Sequence, residues 1–144
     1  MEWLKGVRGK TVGLDTAPLI YLIEKNEKYL DVVRAFFQSM DNGELTVVTS
    51  VLTLSEVLVQ PLKHGDSRLA QAYRNILLGS NILTVGVTPE IAEEAARLRA
   101  ALNIRTPDAL QIATALHEGA EYFLTNDRKL VQVPDLKVIL LSSD

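Results

Sequence analysis

The chain has 144 residues and a mass of 15.9 kDa, a size typical of one compact domain, and we expect a single domain over residues 1–144. Hydrophobic residues make up 47% and charged residues 23% of the sequence, which excludes a disordered chain, a collagen-like repeat and a coiled coil. The absence of cysteine excludes disulfides, thiolate metal sites and cysteine nucleophiles, and a net charge of −3 excludes a general attraction for nucleic acid.

The N-terminal segment and the longest apolar stretch predict a cytoplasmic protein without a membrane segment. Residues 1–6 carry charges where a signal peptide needs an apolar run. The longest stretch without a charged residue, 75–89, has fifteen residues, fewer than the roughly 20 that span a bilayer.

Five short apolar runs have the composition of β-strands. They are residues 11–14, 45–49, 82–87, 122–125 and 137–141. Their residues are apolar almost throughout instead of alternating with polar ones, which is typical of strands covered on both faces of a parallel sheet.

The segments between these runs have helical periodicity. Apolar side chains recur at a spacing close to 3.6 in residues 29–40, 69–77 and 90–102, with Asp66 as the expected cap of the second helix. Residues 108–116 are apolar around most of the circumference, which predicts a helix buried on several sides. This alternation predicts a three-layer α/β domain with a mainly parallel sheet, whose site lies at the carboxyl ends of the strands.

Four of the eighteen carboxylates stand among apolar or small residues and not in a charged surface segment. Asp15 follows the first predicted strand and Asp127 follows the strand at 122–125. Glu56 comes about two turns past the second strand, and Asp108 opens the buried helix. Because parallel strands bring their carboxyl ends to one edge of the sheet, we expect these four acids to converge.

Each acid also has a purely structural explanation. Asp15 and Asp127 are suited to cap helical turns. Asp108 at a helix start is stabilised by the helix dipole by roughly 0.3–1 kcal/mol. Glu56 lies three residues after Thr53, the spacing of a capping box. Singly these explanations suffice, but the shared position of the acids at one sheet edge favours a common site.

Carboxylates that meet in a partly buried pocket raise one another's pKa values and destabilise the fold unless a cation enters. An all-oxygen ligand set suits Mg²⁺ or Mn²⁺ and not zinc. Such ions activate water and stabilise a leaving oxygen during phosphodiester hydrolysis. The acids therefore predict a metal-dependent hydrolase of phosphodiester bonds.

Four segments form an ordered set of motifs. They are residues 14–20 (LDTAPLI), 53–57 (TLSEV), 107–113 (PDALQIA) with Ala115, and 124–127 (LTND). In this order and at these separations they resemble the PIN domain ribonucleases, most closely the small toxin subunits of the VapBC type. The resemblance spans nearly the whole chain.

The resemblance implies specific roles and partners. Asp15, Glu56, Asp108 and Asp127 would build the metal site, and Thr125 matches a hydroxyl position that supports it. The family also implies a sheet order of 3-2-1-4-5, an RNA substrate cut to 5′-phosphate and 3′-hydroxyl products, a homodimer and a cognate antitoxin. The predicted function is therefore a Mg²⁺- or Mn²⁺-dependent endoribonuclease that serves as the toxin of a toxin–antitoxin pair.

The acidic charge departs from the more basic composition of many RNA-cleaving members of the family. Binding of RNA would then depend on the metal and on a few cationic side chains. The candidates are Lys63, Arg105, Arg128 and Lys129.

Other functions predict different residues. A haloacid dehalogenase-like phosphatase needs a second acid two residues after the first aspartate, where this chain has Ala17. A phosphoacceptor receiver domain needs adjacent acids near the first strand and an aspartate after the third, and neither is present. Two alternatives stay open: a PIN nuclease of RNA processing outside toxin–antitoxin systems, and a non-catalytic PIN-like protein-interaction module, against which the presence of all four acids argues.

Overall fold

Five parallel strands form one sheet with helices on both faces. In the computed structural model, which describes residues 2–130 and 133–142, the strands are β1 (Thr11–Leu14), β2 (Thr46–Ser50), β3 (Leu83–Val85), β4 (Tyr122–Thr125) and β5 (Lys137–Leu140). Their order is β3-β2-β1-β4-β5, and each neighbouring pair is parallel. The predicted fold class and strand order are confirmed.

Helices fill the connections between the strands. They are α1 (Glu2–Gly6), α2 (Thr16–Ile23), α3 (Leu30–Asp41), α4 (Leu52–Lys63), α5 (Ser67–Gly79), α6 (Pro89–Ala101) and α7 (Thr106–His117), and a 3₁₀ turn (Arg128–Leu130) follows β4. The apolar periodicity predicted α3, α5, α6 and α7 to within two residues at each end. Asp66 caps α5 as expected, since its Oδ1 accepts the amide of Leu69 at 3.1 Å. The sequence did not predict α1, because five residues are too few for a periodic pattern.

Alternate residues of the strands enter two apolar cores on opposite faces of the sheet. Val47 of β2 and Leu124 of β4 belong to the core formed with α2, α3, α4 and α5. Val48 and Phe123, their chain neighbours, belong to the core formed with α6 and α7. Successive side chains of a strand point to opposite faces, so strands covered on both sides produce the continuous apolar runs of the sequence. The three layers are confirmed.

Gly13 marks the closest approach of α7 to the sheet. A Cβ at this position would lie 2.5 Å from Cβ of Ala115 and 2.8 Å from Cδ1 of Phe123. Glycine in β1 and alanine in α7 therefore let this helix pack directly on the central strand. The same packing holds the beginning of α7, with Asp108, beside the carboxyl end of β1.

The third strand differs from the prediction in length and exposure. It spans three residues instead of six and lies at the edge of the sheet, with 49% of Leu83 exposed. The expectation of a strand covered on both faces is wrong at Leu83, because the sheet ends at β3 and this side chain lies at its exposed margin.

The capping box predicted for Thr53 and Glu56 is also wrong. Helix α4 begins at Leu52, with Val51 as its N-cap, so Thr53 already lies inside the helix. Its hydroxyl is buried and faces Oγ1 of Thr49 at 2.8 Å. The bond that a capping box would use is thus replaced by a tertiary contact with β2.

No helix within residues 2–130 and 133–142 is long and apolar enough to cross a bilayer.

Candidate active site

Asp15 lies where β1 ends and α2 begins. Its backbone is extended, with φ −78° and ψ 170°, and its Oδ1 accepts the amide of Thr16 at 2.8 Å, which makes it the N-cap of α2. Its own amide donates to the carbonyl of Leu124 on β4 at 3.0 Å. The capping explanation is therefore correct, but it uses only one oxygen of the carboxylate.

The second oxygen of Asp15 is bound by Thr125 at the end of β4. The Thr125 hydroxyl is fully buried and donates to Oδ2 of Asp15 at 2.6 Å. The same hydroxyl oxygen accepts the amide of Asp127 at 3.0 Å. Thr125 thus joins the first and last predicted acids through one hydroxyl group, which agrees with the supporting role that the resemblance implies for it.

Glu56 reaches the same edge of the sheet from α4. Its Oε1 accepts the hydroxyl of Thr16 at 3.1 Å. Because Thr16 directly follows Asp15, this bond holds Glu56 beside the first aspartate. Glu56 itself is exposed, so the predicted shielded surroundings are wrong for this carboxylate, which stands on the solvent side of the site.

Asp108 approaches from the first turn of α7 and is more buried than Glu56. Its side chain is 14% exposed, and Oδ2 lies 3.4 Å from Nε of Arg105, whose side chain is 77% exposed. An ion pair with so exposed a partner contributes little to stability. The carboxylate of Asp108 can therefore exchange Arg105 for a divalent cation at little cost in stability.

Asp127 completes the arrangement from the loop after β4. Its Oδ1 accepts the amide of Lys129 at 3.0 Å, so the predicted capping of a short turn is correct. Asp108 and Asp127 line one cleft of about 380 Å³, which also contains the side chains of Arg99 and Arg105. An acid from α7 and an acid from the loop after β4 thus open onto a common space.

The surroundings of Asp15 disfavour its charge. Burial raises the pKa of this carboxyl above its ordinary value, and the negative charges of Asp108 and Glu56 raise the pKa further. The hydrogen bonds from Thr125 and Thr16 act in the opposite direction but do not cancel the effect. Asp108 and Glu56, both far from Asp15 in the sequence, are therefore close enough to Asp15 to act on its charge.

A buried polar network lies beneath these acids, and the sequence analysis missed it. Thr49 donates its hydroxyl to the carbonyl of Leu14 at 2.9 Å, and Gln111 donates its amide to the hydroxyl of Thr53. Oε1 of Gln111 in turn accepts the amide of Ser50 at 3.3 Å. Polar residues within otherwise apolar elements were the available signal, because such residues are buried only when they are hydrogen-bonded.

The network ties together the elements that carry the acids. Thr53 lies three residues before Glu56 on α4, and Gln111 lies three residues after Asp108 on α7, spacings that put each pair on one helix face. Leu14, whose carbonyl joins the network, immediately precedes Asp15. The relative positions of α4, α7 and the end of β1 are therefore fixed by hydrogen bonds directly below the site.

The carboxylates form a neighbourhood and not a closed ligand shell. Over the described ranges, no three or more histidine, aspartate or glutamate side chains are grouped so as to hold an ion. Glu56 accepts a hydrogen bond from the hydroxyl of Thr16, and Asp127 accepts one from the amide of Lys129. Asp108 pairs with Arg105. Nevertheless the donor set fits Mg²⁺ or Mn²⁺, because all its atoms are oxygens and Mg²⁺ needs only one or two carboxylates while it keeps several waters.

The sequence pattern of the PIN domain family matches residues 12–136. This span contains each acid of the site and Thr125. A search among curated protein sequences gave no match.

Three solved structures with the same fold contain toxins or toxin–antitoxin complexes. VapBC2 from Rickettsia felis, bound to a DNA fragment from their promoter, has a TM-score of 0.74 and 20% identity, with 90% of this chain and 98% of that chain covered. A toxin–antitoxin complex from Klebsiella pneumoniae has a TM-score of 0.69 and 23% identity, with 91% and 97% covered. VapC20 from Mycobacterium tuberculosis, a toxin that cleaves the sarcin-ricin loop, has a TM-score of 0.63 and 19% identity, with 78% and 86% covered. At these identities the similarity is one of fold.

Proposed function

The chain belongs to the PIN domain family, and on that premise we propose that it is a Mg²⁺- or Mn²⁺-dependent endoribonuclease that acts as the toxin of a toxin–antitoxin pair. The observation that carries this proposal is the meeting of Asp15 with Asp108 and Glu56 at the carboxyl edge of the sheet, where burial and the negative charges of these two residues act against the charge of Asp15. A divalent cation relieves both effects at once.

The metal would be held by Asp15, Glu56, Asp108 and Asp127. When bound, such an ion supplies Lewis-acid stabilisation of the charge that develops on phosphodiester oxygens. Thr125 fixes the orientation of Asp15 through its hydroxyl, and Thr16 orients Glu56 in the same way. These two hydroxyls hold the carboxylates in place before substrate arrives, so less ordering is needed on binding.

The toxin role and its partners are proposed from similarity of fold. The solved structures of similar fold include toxin–antitoxin complexes, and one contains a toxin that cleaves the sarcin-ricin loop. By analogy of fold we propose an RNA substrate, a cognate antitoxin and a homodimer of this chain. We also propose that residues 1–144 form one PIN-like domain, because one sheet joins all five strands.

The purified chain should cleave single-stranded RNA when Mg²⁺ or Mn²⁺ is added and should be inactive in EDTA. Asp15→Asn and Asp108→Asn should both abolish cleavage while the fold is kept. Asp31→Asn, on the exposed first turn of α3, is the matched control and should cleave like the wild type. Asparagine caps a helix almost as well as aspartate, so a purely capping role of Asp15 predicts that Asp15→Asn cleaves RNA like the wild type. That result would refute the proposal.

The biological role needs a separate experiment. Expression of the wild type should arrest growth, and co-expression of a small protein encoded next to it should relieve the arrest. RNA cleavage without growth arrest would favour a PIN nuclease of RNA processing. A lack of cleavage together with tight binding of the neighbouring protein would favour a non-catalytic interaction module.

A further inference from the structure

Three cationic side chains share one cleft with two of the acids. Arg99, Arg105 and Lys129 line the space of about 380 Å³ onto which Asp108 and Asp127 open. Three cations thus stand beside two carboxylates, although the chain as a whole has more acidic than basic residues. The cleft is therefore one place where cations outnumber carboxylates, with Arg105 paired to Asp108 at 3.4 Å.

Two of the cations are held on the same wall. Nε of Arg99, near the end of α6, donates to the carbonyl of Ile104 at 3.2 Å. Ile104 belongs to the short loop between α6 and α7, which also carries Arg105. This bond uses one donor of the Arg99 guanidinium, and its remaining N–H groups have no partner within residues 2–130 and 133–142. A guanidinium fixed at Nε with free terminal donors is arranged to bind an anion.

Lys129 faces the cleft from the 3₁₀ turn after β4. Its backbone amide is bound by Oδ1 of Asp127 at 3.0 Å, which ties the position of this cation to that of the acid. The Lys129 ammonium has no hydrogen-bond or ion-pair partner among the residues that the structure describes. The cleft is thus lined by cations from α6, from the loop before α7 and from the 3₁₀ turn, together with the two carboxylates.

A strand of phosphodiester units matches this distribution of charge. The phosphate that is cut must lie at the carboxylates, which require a metal to attract it, whereas a neighbouring phosphate needs direct cationic donors. Given the proposed nuclease function, on which this inference rests, we propose that Arg99, Arg105 and Lys129 form a subsite for a backbone phosphate adjacent to the scissile one on a single-stranded nucleic acid. The volume of the cleft, about 380 Å³, is in the range of pockets that hold small ligands, so it has room for a group the size of a phosphate.

The four cations that the sequence predicted to contact RNA do not all reach the cleft. Arg105 and Lys129 line the cleft, whereas Lys63 and Arg128 do not. Arg128 instead donates to the carbonyl of Ser142 at 3.3 Å. Arg99, which the sequence analysis did not select, replaces them, because its place beside the site depends on the packing of α6 against α7.

The test measures binding without cleavage. A short fluorescent single-stranded RNA is titrated with the protein in EDTA, by fluorescence anisotropy, over a series of NaCl concentrations. Arg99→Gln and Lys129→Gln should each weaken binding several-fold at low salt. Each should also reduce the slope of log Kd against log salt by about 0.7, the value for one lost phosphate contact on a single strand, and the double variant by about twice that amount.

Matched controls lie near the amino end of β1, away from the carboxyl ends of the strands. Arg8 and Lys10 stand before β1 and pair with Glu44 and Glu121, at 3.6 and 3.5 Å. Arg8→Gln and Lys10→Gln should leave both the affinity and the salt slope as in the wild type. Equal reductions in controls and cleft variants would overturn the subsite, since they would show attraction to overall charge only.

Further arms identify the ligand. Single-stranded DNA of the same sequence should show the same loss of slope in the cleft variants, because the shared group is the phosphate. Polyglutamate that competes as well as RNA, duplex that binds as well as single strand, or a wild type that binds no RNA would each overturn the subsite. If no RNA is cut with Mg²⁺ or Mn²⁺ but the slopes change as stated, the nuclease proposal fails, and the cleft binds a backbone phosphate without a role beside a scissile bond. Cleavage with unchanged slopes would overturn the subsite and leave the nuclease proposal in place.

Discussion

The hydroxyl of Thr125 donates to Oδ2 of Asp15 over 2.6 Å and joins two positions that lie 110 residues apart. The bond crosses from the end of β4 to the end of β1, two neighbouring strands of the sheet. Because the hydroxyl oxygen also accepts a hydrogen bond from the amide of Asp127, it fixes the geometry of both acids. One buried hydroxyl therefore holds the centre of the candidate site.

Replacement of Thr125 by valine should weaken the site and the fold together. Thr125→Val keeps the shape of the side chain but leaves a partly buried carboxylate without its donor, a loss of about 1–3 kcal/mol in the free energy of unfolding. Thr125→Ser keeps the hydroxyl and should retain most of the metal affinity and RNA cleavage, whereas Thr125→Val should lose both. Urea unfolding and Mn²⁺ titration measure the two effects, and equal metal affinity in the two variants would contradict the assigned role.

Without metal, the free energy of unfolding of Asp15→Asn should rise relative to that of the wild type as pH rises. The pKa of Asp15 is raised in the folded protein above its ordinary value of 3.8. A raised pKa contributes stability that is complete below the unfolded-state pKa and is lost as pH rises through the folded-state pKa. In EDTA, the free energy of unfolding of the wild type should therefore fall relative to Asp15→Asn as pH increases from about 4 to neutral. A difference that is independent of pH would contradict the proposed repulsion.

Addition of Mn²⁺ should reverse this order. A ligand that binds only the folded protein raises its stability by about 1.4 kcal/mol for each tenfold increase in free ligand above Kd. The Tm of the wild type and of the control Asp31→Asn should rise with Mn²⁺, and the Tm of Asp15→Asn should change little. Parallel rises in all three proteins would indicate binding elsewhere on the surface.

Gln111 should be more important for stability than its polar side chain suggests. It is 2% exposed, and Gln111→Met would remove the acceptor of the buried Ser50 amide and the amide that donates to the hydroxyl of Thr53. An unpaired buried polar group costs about 1–3 kcal/mol, which urea unfolding would detect. Gln38→Met, at an exposed position of α3, is the matched control and should unfold like the wild type.

Gly13→Ala should destabilise the protein by forcing α7 away from β1. The added methyl group would meet Ala115 and Phe123 well inside van der Waals contact, and neither neighbour is the end of a flexible side chain. Overpacking of this kind costs about 1–3 kcal/mol. Gly86→Ala, where nothing lies within 4 Å of the added methyl group, should have little effect, so equal losses in both variants would contradict the steric explanation.

Much of the fold was predictable from the sequence because hydrophobic patterning is a local property. The runs at 11–14 and 122–125 coincide with β1 and β4, and the strand order followed from a resemblance carried by four short motifs. Patterning predicted less where exposure differs from composition. The edge position of β3 and the exposure of Glu56 depend on which elements pack beside them. The apolar content of a segment does not predict its neighbours in the fold.

The sequence by itself determined which chemical groups this protein has: no sulfur ligand from cysteine, a set of acids after parallel strands, and enough apolar residues for two cores. Only the tertiary structure decided which of these groups meet. Thr16 reaches Glu56 and Arg99 comes to lie beside Asp108 and Asp127 through the packing of separate helices. Such meetings join residues distant along the chain, and their geometry is set by the sum of many contacts, so no local pattern encodes them.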